Sequence, residues 1–156
     1  MSQILFSSWK GKVVDNRGKK PEEYETPEGL PEEWLKDEKA KGFMDWDGFA
    51  IKDPDASILD LCVQFLDRVK GRSCAKCIPC RIGTRVMYDM MHDIAEGKGK
   101  KKDLEILKSL GGTLNEATKC KIGRTAPVPV LDALKYFREK VQQEIEEKKR
   151  KGGGKR

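Results

Sequence analysis

Three cysteines fall within the short segment Ser73-Cys74-Ala75-Lys76-Cys77-Ile78-Pro79-Cys80-Arg81. Thiols crowded into one C-x2-C-x2-C run cannot all enter an apolar core, so the segment reads as a ligand loop between helices. The spacing lets three thiolates wrap one face of a cubane cluster, and a single fourth ligand must then come from elsewhere in the chain. Cys120 meets that need: it lies 40 positions beyond Cys80, in the turn Thr118-Lys-Cys-Lys-Ile-Gly123. The candidate site is therefore a [4Fe-4S] centre on Cys74, Cys77, Cys80 and Cys120. Structural zinc is the competing metal, although all-cysteine zinc sites usually pair two C-x2-C knuckles. A thioredoxin-like redox role lacks the strand-helix-strand context it needs.

The fifth cysteine, Cys62, belongs to the apolar face of a helix and reads as core. An odd count of five cysteines, with no signal-peptide pattern at the amino terminus, argues for reduced thiolates in the cytoplasm over a disulfide framework. No apolar run approaches the roughly 20 residues that span a bilayer. His92 has no neighbouring cysteine or histidine with which to share a metal and reads as a surface or interface residue.

Around the ligands stand Arg72, Lys76, Arg81, Arg85, Lys119, Lys121 and Arg124. Such cations would offset the negative charge of a thiolate-bound cluster and favour its reduced form. Gly83 and Gly123 each follow a cysteine turn and would let the backbone approach the sulfides and donate N–H bonds. Lys76, Arg81, Gly83, Lys121 and Gly123 are thus the expected surroundings of the cluster.

The apolar residues are concentrated in the second half. Ile58, Leu61, Cys62, Phe65, Leu66 and Val69 recur at helical spacing, capped by Asp55 or Ser57 and stopped by Gly71. A second helix is expected from about Gly83 to Glu96, with a methionine-rich inner face. A third spans Lys102 to Leu110, and Thr113-Leu-Asn-Glu116 reads as a capping box opening a short fourth. Pro127 and Pro129 introduce a last helix striped by Leu131, Leu134, Phe137, Val141 and Ile145. The expected fold class is mainly α: a small four-helix-type bundle over 57–147, carrying the cluster.

Residues 1–56, rich in proline, glycine and charge, read as a largely irregular extension, with a short helix opening at Leu30-Pro31. They hold Trp9, Trp34 and Trp46, which must pack within the domain or dock a partner. Residues 148–156, Lys148-Lys-Arg-Lys-Gly-Gly-Gly-Lys-Arg156, read as a disordered basic tail. The formal net charge of +6 partly resides there. Without interleaved aromatic and basic residues, nucleic acid is not an expected partner.

The run S-C-A-K-C-I-P-C-R-I-G from Ser73 to Gly83 resembles the cluster loop in the NADH-binding flavoprotein subunit of respiratory complex I and of related NAD-dependent hydrogenases and formate dehydrogenases. The likeness continues through Gly97-Lys-Gly99, Asp103-Leu104, Leu107, Thr118 to Gly123, Ala126, Pro129-Val130 and Phe137-Arg138, covering roughly residues 58 to 145. In that family this part is a carboxy-terminal helical bundle whose [4Fe-4S] cluster takes electrons from flavin mononucleotide reduced by NADH. By position, the resemblance implies Cys74, Cys77, Cys80 and Cys120 as ligands. Ala75 stands where the family usually has Gly, and Arg72 where it often has Glu.

The family's flavin and nicotinamide domain has no counterpart among these residues, and no G-x-G-x-x-G loop occurs. The expectation is a non-catalytic electron-transfer subunit, without an NADH or flavin site of its own. It would relay single electrons between a flavin-containing NAD(P)H-linked subunit and further iron-sulfur subunits of a hetero-oligomeric oxidoreductase. A second class is a zinc- or cluster-stabilised interaction module without redox turnover. A third, a cluster-based sensor, would need an output surface such as a DNA-binding helix pair.

Overall fold

The structure, a computed structural model, describes residues 3–152. It divides into two compact units, with the boundary between Ala56 and Ser57.

In the first unit, β1 (Phe6–Trp9), β2 (Lys12–Asp15), β3 (Gly42–Asp45) and β4 (Gly48–Ile51) form an antiparallel sheet of order β2-β1-β4-β3. Each strand has four residues, and the connections are turns, one 3-10 turn at Pro21–Glu23 and the short helix α1 (Glu32–Lys36). Lys10 and Gly11 join β1 to β2 with φ of 49° and 79°, the double left-handed geometry of a two-residue hairpin turn. Gly48 follows the β3–β4 turn at φ 144°, where a side chain would overlap the Ser8 carbonyl.

Trp9 and Trp34 flank the Phe43 ring at 5.7 and 5.8 Å, in a cluster with Ile4, Leu30 and Ala50. The Trp9 indole also donates to the Gly29 carbonyl at 3.0 Å. Two of the three tryptophans thus build a core within this unit. Lys52 closes the carboxy-terminal end of α1, with Nζ donating to the Trp34, Leu35 and Asp37 carbonyls and standing 4.2 Å from the centroid of the Trp34 ring.

The second unit consists of α2 (Ile58–Arg72), α3 (Ile78–Ala95), α4 (Lys101–Ala117), α5 (Lys121–Thr125), α6 (Pro127–Tyr136) and α7 (Arg138–Gly152). The mainly α class expected from the periodicity is what the chain adopts. Ser57 caps α2, its hydroxyl accepting from the Asp60 N–H at 3.2 Å. Glu144 of α7 covers the same helix end: its carboxylate accepts from the Ser57 hydroxyl and from the Ile58 and Leu59 N–H groups, at 3.1, 3.0 and 3.2 Å. The core gathers Ile58, Phe65 and Val69 of α2, Met87, Met91 and Ile94 of α3, Leu107 and Leu114 of α4, and Val130 and Ala133 of α6, all buried. α3 packs on α2 and α4, and α4 on α6.

Four boundaries differ from the sequence reading. α3 begins at Ile78, inside the cysteine run, because Pro79 occupies a first-turn position that needs no N–H partner. Gly111 and Thr113 do not divide α4. A Cβ on buried Gly111 would lie 2.7 Å from Leu131 Cδ1, so the glycine admits α6, while the Thr113 hydroxyl bonds back to the Ser109 carbonyl at 3.2 Å. The long last helix is interrupted at Phe137 into α6 and α7. Finally, residues 148–152, expected to be disordered, continue α7 to Gly152. The Gly97 turn lies against the Lys148 carbonyl, and Lys148 pairs with Asp60 at 3.8 Å. The expected tail residues 153–156 lie outside the described residues.

Candidate metal centre

The cysteine run leaves α2 at Arg72 and enters α3 at Ile78. The Ser73 hydroxyl organises it, accepting from the Ala75 N–H at 3.3 Å and standing 3.3 Å from Cys80 Sγ. Ala75 is held at φ 56°. L-residues enter this left-handed region at a cost of about 1–2 kcal/mol, which gives a physical reason for glycine to be the residue favoured at that place. Cys74 is exposed, Cys77 is half-buried as the N-cap of α3, and Cys80 is buried in the first turn, where its carbonyl accepts the Thr84 hydroxyl at 2.7 Å.

Cys120 is half-buried and N-caps α5. Its turn is tied down from two sides: Arg124 Nε donates to the Thr118 carbonyl at 2.7 Å, and Asn115 Nδ2 to the Arg124 carbonyl at 2.9 Å. The two cysteine-bearing turns meet at Gly123. A Cβ placed there would stand 3.1 Å from Cys80 Sγ and 3.1 Å from Thr118 Cβ, and would overlap the Thr118 methyl. Thr118 is 1% exposed, and its hydroxyl has no hydrogen-bond partner. A buried hydroxyl left open between two thiol-bearing turns is what a sulfur-rich ligand would satisfy.

All five cysteines are free thiols. Among the described residues, no three His, Cys, Asp or Glu side chains converge on a single-ion position. A cubane takes one thiolate at each iron and spreads its ligands more widely than a mononuclear ion does. The donor set, four soft thiols and an open buried hydroxyl, fits an iron-sulfur cluster.

Of the expected surroundings, Lys76, Arg81 and Lys121 are exposed, Gly123 lies against Cys80 Sγ, and Gly83 admits Leu114 of α4, whose Cδ2 would be 2.6 Å from a Cβ there. Gly83 is thus taken up by helix packing. Cys62 is fully buried, and burial, with the nearby Glu144 charge, pushes its thiol far above the usual range. His92 pairs with Glu96 at 3.4 Å and stacks on Tyr88 at 5.8 Å, at the far end of α3 from the cysteines. Thr118 and Asn115 were missed in the sequence, since no local pattern marks a residue that contacts another turn, and Ser73 was read only as the start of the cysteine run.

Fold and site together define a helical bundle whose cysteine-bearing turns are brought together at Gly123. The chain belongs to the family described as the NADH-ubiquinone oxidoreductase-F iron-sulfur binding region, which matches residues 60–144. The [4Fe-4S] cofactor expected from the sequence is the one this family binds.

Among curated proteins, the chain is 35% identical over its whole length to the beta subunit of an NADP(+)-dependent formate dehydrogenase from Moorella thermoacetica, covering 22% of that protein. It is 34% identical over 89% of its length to the beta subunit of an NADPH-Fe(3+) oxidoreductase from Geobacter sulfurreducens, covering 20% of it. Among solved structures, an NAD+-reducing [NiFe]-hydrogenase in the H2-reduced state superposes with a TM-score of 0.57 at 27% identity, over 62% of this chain and 16% of that one. The chain therefore spans about a fifth of the length of the curated relatives it matches. Among the described residues, no helix is long and apolar enough to cross a membrane.

Proposed function

We propose that Cys74, Cys77, Cys80 and Cys120 hold the [4Fe-4S] cluster and that the chain relays single electrons within a hetero-oligomeric oxidoreductase, between a flavin-containing NAD(P)H-linked subunit and a further iron-sulfur subunit. The reading is carried by the meeting of the Cys80 thiol with the Cys120 turn at Gly123. When bound, the cluster supplies reversible one-electron storage. The chain's own residues fix the position of that storage: Ser73 and Thr84 hold the Cys80 turn, and Arg124 and Asn115 hold the Cys120 turn. The relatives are named as NADP(H)-linked oxidoreductase subunits, which supports a place for this chain in such an assembly.

The test is anaerobic purification with iron and sulfide analysis and electron paramagnetic resonance before and after reduction. About four irons per chain and a reversible reduced-state signal are expected, with the signal lost in Cys74→Ser, Cys77→Ser, Cys80→Ser and Cys120→Ser and kept in Cys62→Ser. Zinc without iron would overturn the relay and leave a structural interaction module.

A further inference from the structure

We infer that the outer side of α3 is a docking face for an electron-transfer partner whose own contact surface is apolar at its centre and acidic at its rim. This rests on the relay proposed above and names the chemistry of the partner. Ile78, Ile82 and Val86 recur every fourth residue along one line of the helix and are 63, 53 and 38% exposed. A single exposed isoleucine is ordinary, whereas a continuous apolar line marks an interaction surface. This line begins at the residue after Cys77. Ile122, 37% exposed, stands two residues after Cys120, so exposed isoleucines adjoin both cysteine-bearing turns.

Four cations flank the same line, and the nearest exposed acid along α3 is Asp89, one turn beyond Arg85. Lys76, Arg81, Arg85 and Lys121 are exposed, and none makes an ion pair among the described residues, whereas Lys70 beside them pairs with Asp67 at 3.2 Å. A shallow concavity of about 490 Å3, lined by Lys70, Ser73, Ala75, Arg85 and Val86, joins the cysteine loop to the apolar line.

Charge decides the occupant. A second copy of this chain would set arginine against arginine, whereas an acidic rim is attracted and oriented before contact, and an apolar centre supplies short-lived adhesion. Transient electron-transfer contacts are small, on the order of 1,200 Å2 or less, and one helix face with its flanking turn suffices. Because tunnelling decays exponentially with distance, the partner's cofactor must approach the cysteine loop, where the line begins.

The test uses the full cluster-loaded chain and, as probe, a bacterial flavodoxin, a small acidic protein with an exposed flavin edge. Binding is read by flavin fluorescence at low and high salt, and electron transfer by stopped-flow absorbance. Arg85→Glu is expected to weaken low-salt binding about fivefold or more and to flatten its salt dependence. Ile82→Ser with Val86→Ser is expected to weaken it about fivefold without altering the salt slope. Ile106→Ser, at an exposed position on α4, should leave binding unchanged.

Parental affinity in the α3 variants, with the cluster present and reducible, overturns the docking face alone. An equal loss in Ile106→Ser does the same. A concentration-dependent dimer dissolved by Ile82→Ser overturns the acidic partner in favour of a second copy. A parent chain without iron overturns both this inference and the relay.

Discussion

Substituting Gly123 by alanine tests whether the two cysteine turns are held at contact. Gly123 is buried, and no left-handed φ requires it to be glycine, so in an empty site alanine would add up to about 1 kcal/mol of helix preference. The site is not empty. The new Cβ would overlap the Thr118 methyl and stand 3.1 Å from Cys80 Sγ and from Thr118 Cβ, where ordinary contact begins at 3.4 Å. Thr118 is buried and β-branched, so it cannot rotate away freely. Overpacking of this kind costs about 1–3 kcal/mol.

The net expectation is a loss of about 1–2 kcal/mol, a fall of roughly 2–8 °C in melting temperature for a chain of this size. The displaced turn should also lower iron per chain several-fold. The diagnostic is rescue: Thr118→Ser removes the offending methyl and keeps the hydroxyl, so the double variant should recover melting temperature and iron content, giving a favourable coupling in a double-mutant cycle. Parental iron and melting in Gly123→Ala, or a double variant no better than the single one, would refute the contact.

Two further predictions address the bundle. Glu144→Ala removes the acceptor for the Ser57 hydroxyl and for the first N–H groups of α2, so the urea midpoint should fall by the equivalent of about 1–3 kcal/mol, with Glu144→Gln losing less; a change below about 0.5 kcal/mol would show the cap to be dispensable. Burial raises the Cys62 thiol, so its contribution to stability is full below the unfolded thiol value of about 8.5 and is lost as pH rises beyond it, by up to about 1.4 kcal/mol per pH unit. Iron-free Cys62→Ala should lack that alkaline decline in urea titrations, and parallel pH profiles for parent and variant would contradict the burial of the thiol.

What the sequence made legible divides by the range of the interactions involved. α2 was readable because its cap and its apolar period lie within one segment, and Cys62 could be placed in the core from the same stripe; Gly71, expected as its stop, lies inside the helix, which ends at Arg72. The grouping of Cys74, Cys77 and Cys80 in one loop leading into a helix was readable for the same reason, since spacing along the chain limits how three thiols can be arranged. The strands were not, because four residues give too short an alternation to register, and the Lys10-Gly11 hairpin turn places a lysine where glycine or asparagine is the usual signal.

α4 shows a local signal overruled. Gly111-Gly112 followed by Thr113 and Glu116 has the form of a stop and a new start, yet the helix runs through, because Gly111 is needed for the approach of Leu131 and nearby Leu114 fills the notch left by Gly83. The continuity of α4 in turn carries Asn115 to the Arg124 carbonyl and Thr118 to the Cys80 turn. Gly111, which looks like a helix break, therefore belongs to the packing that sets the Gly123 turn against Cys80. That dependence is tertiary from end to end: spacing could nominate Cys120 as a ligand, but only the packed bundle gives a reason why its turn arrives at Cys80.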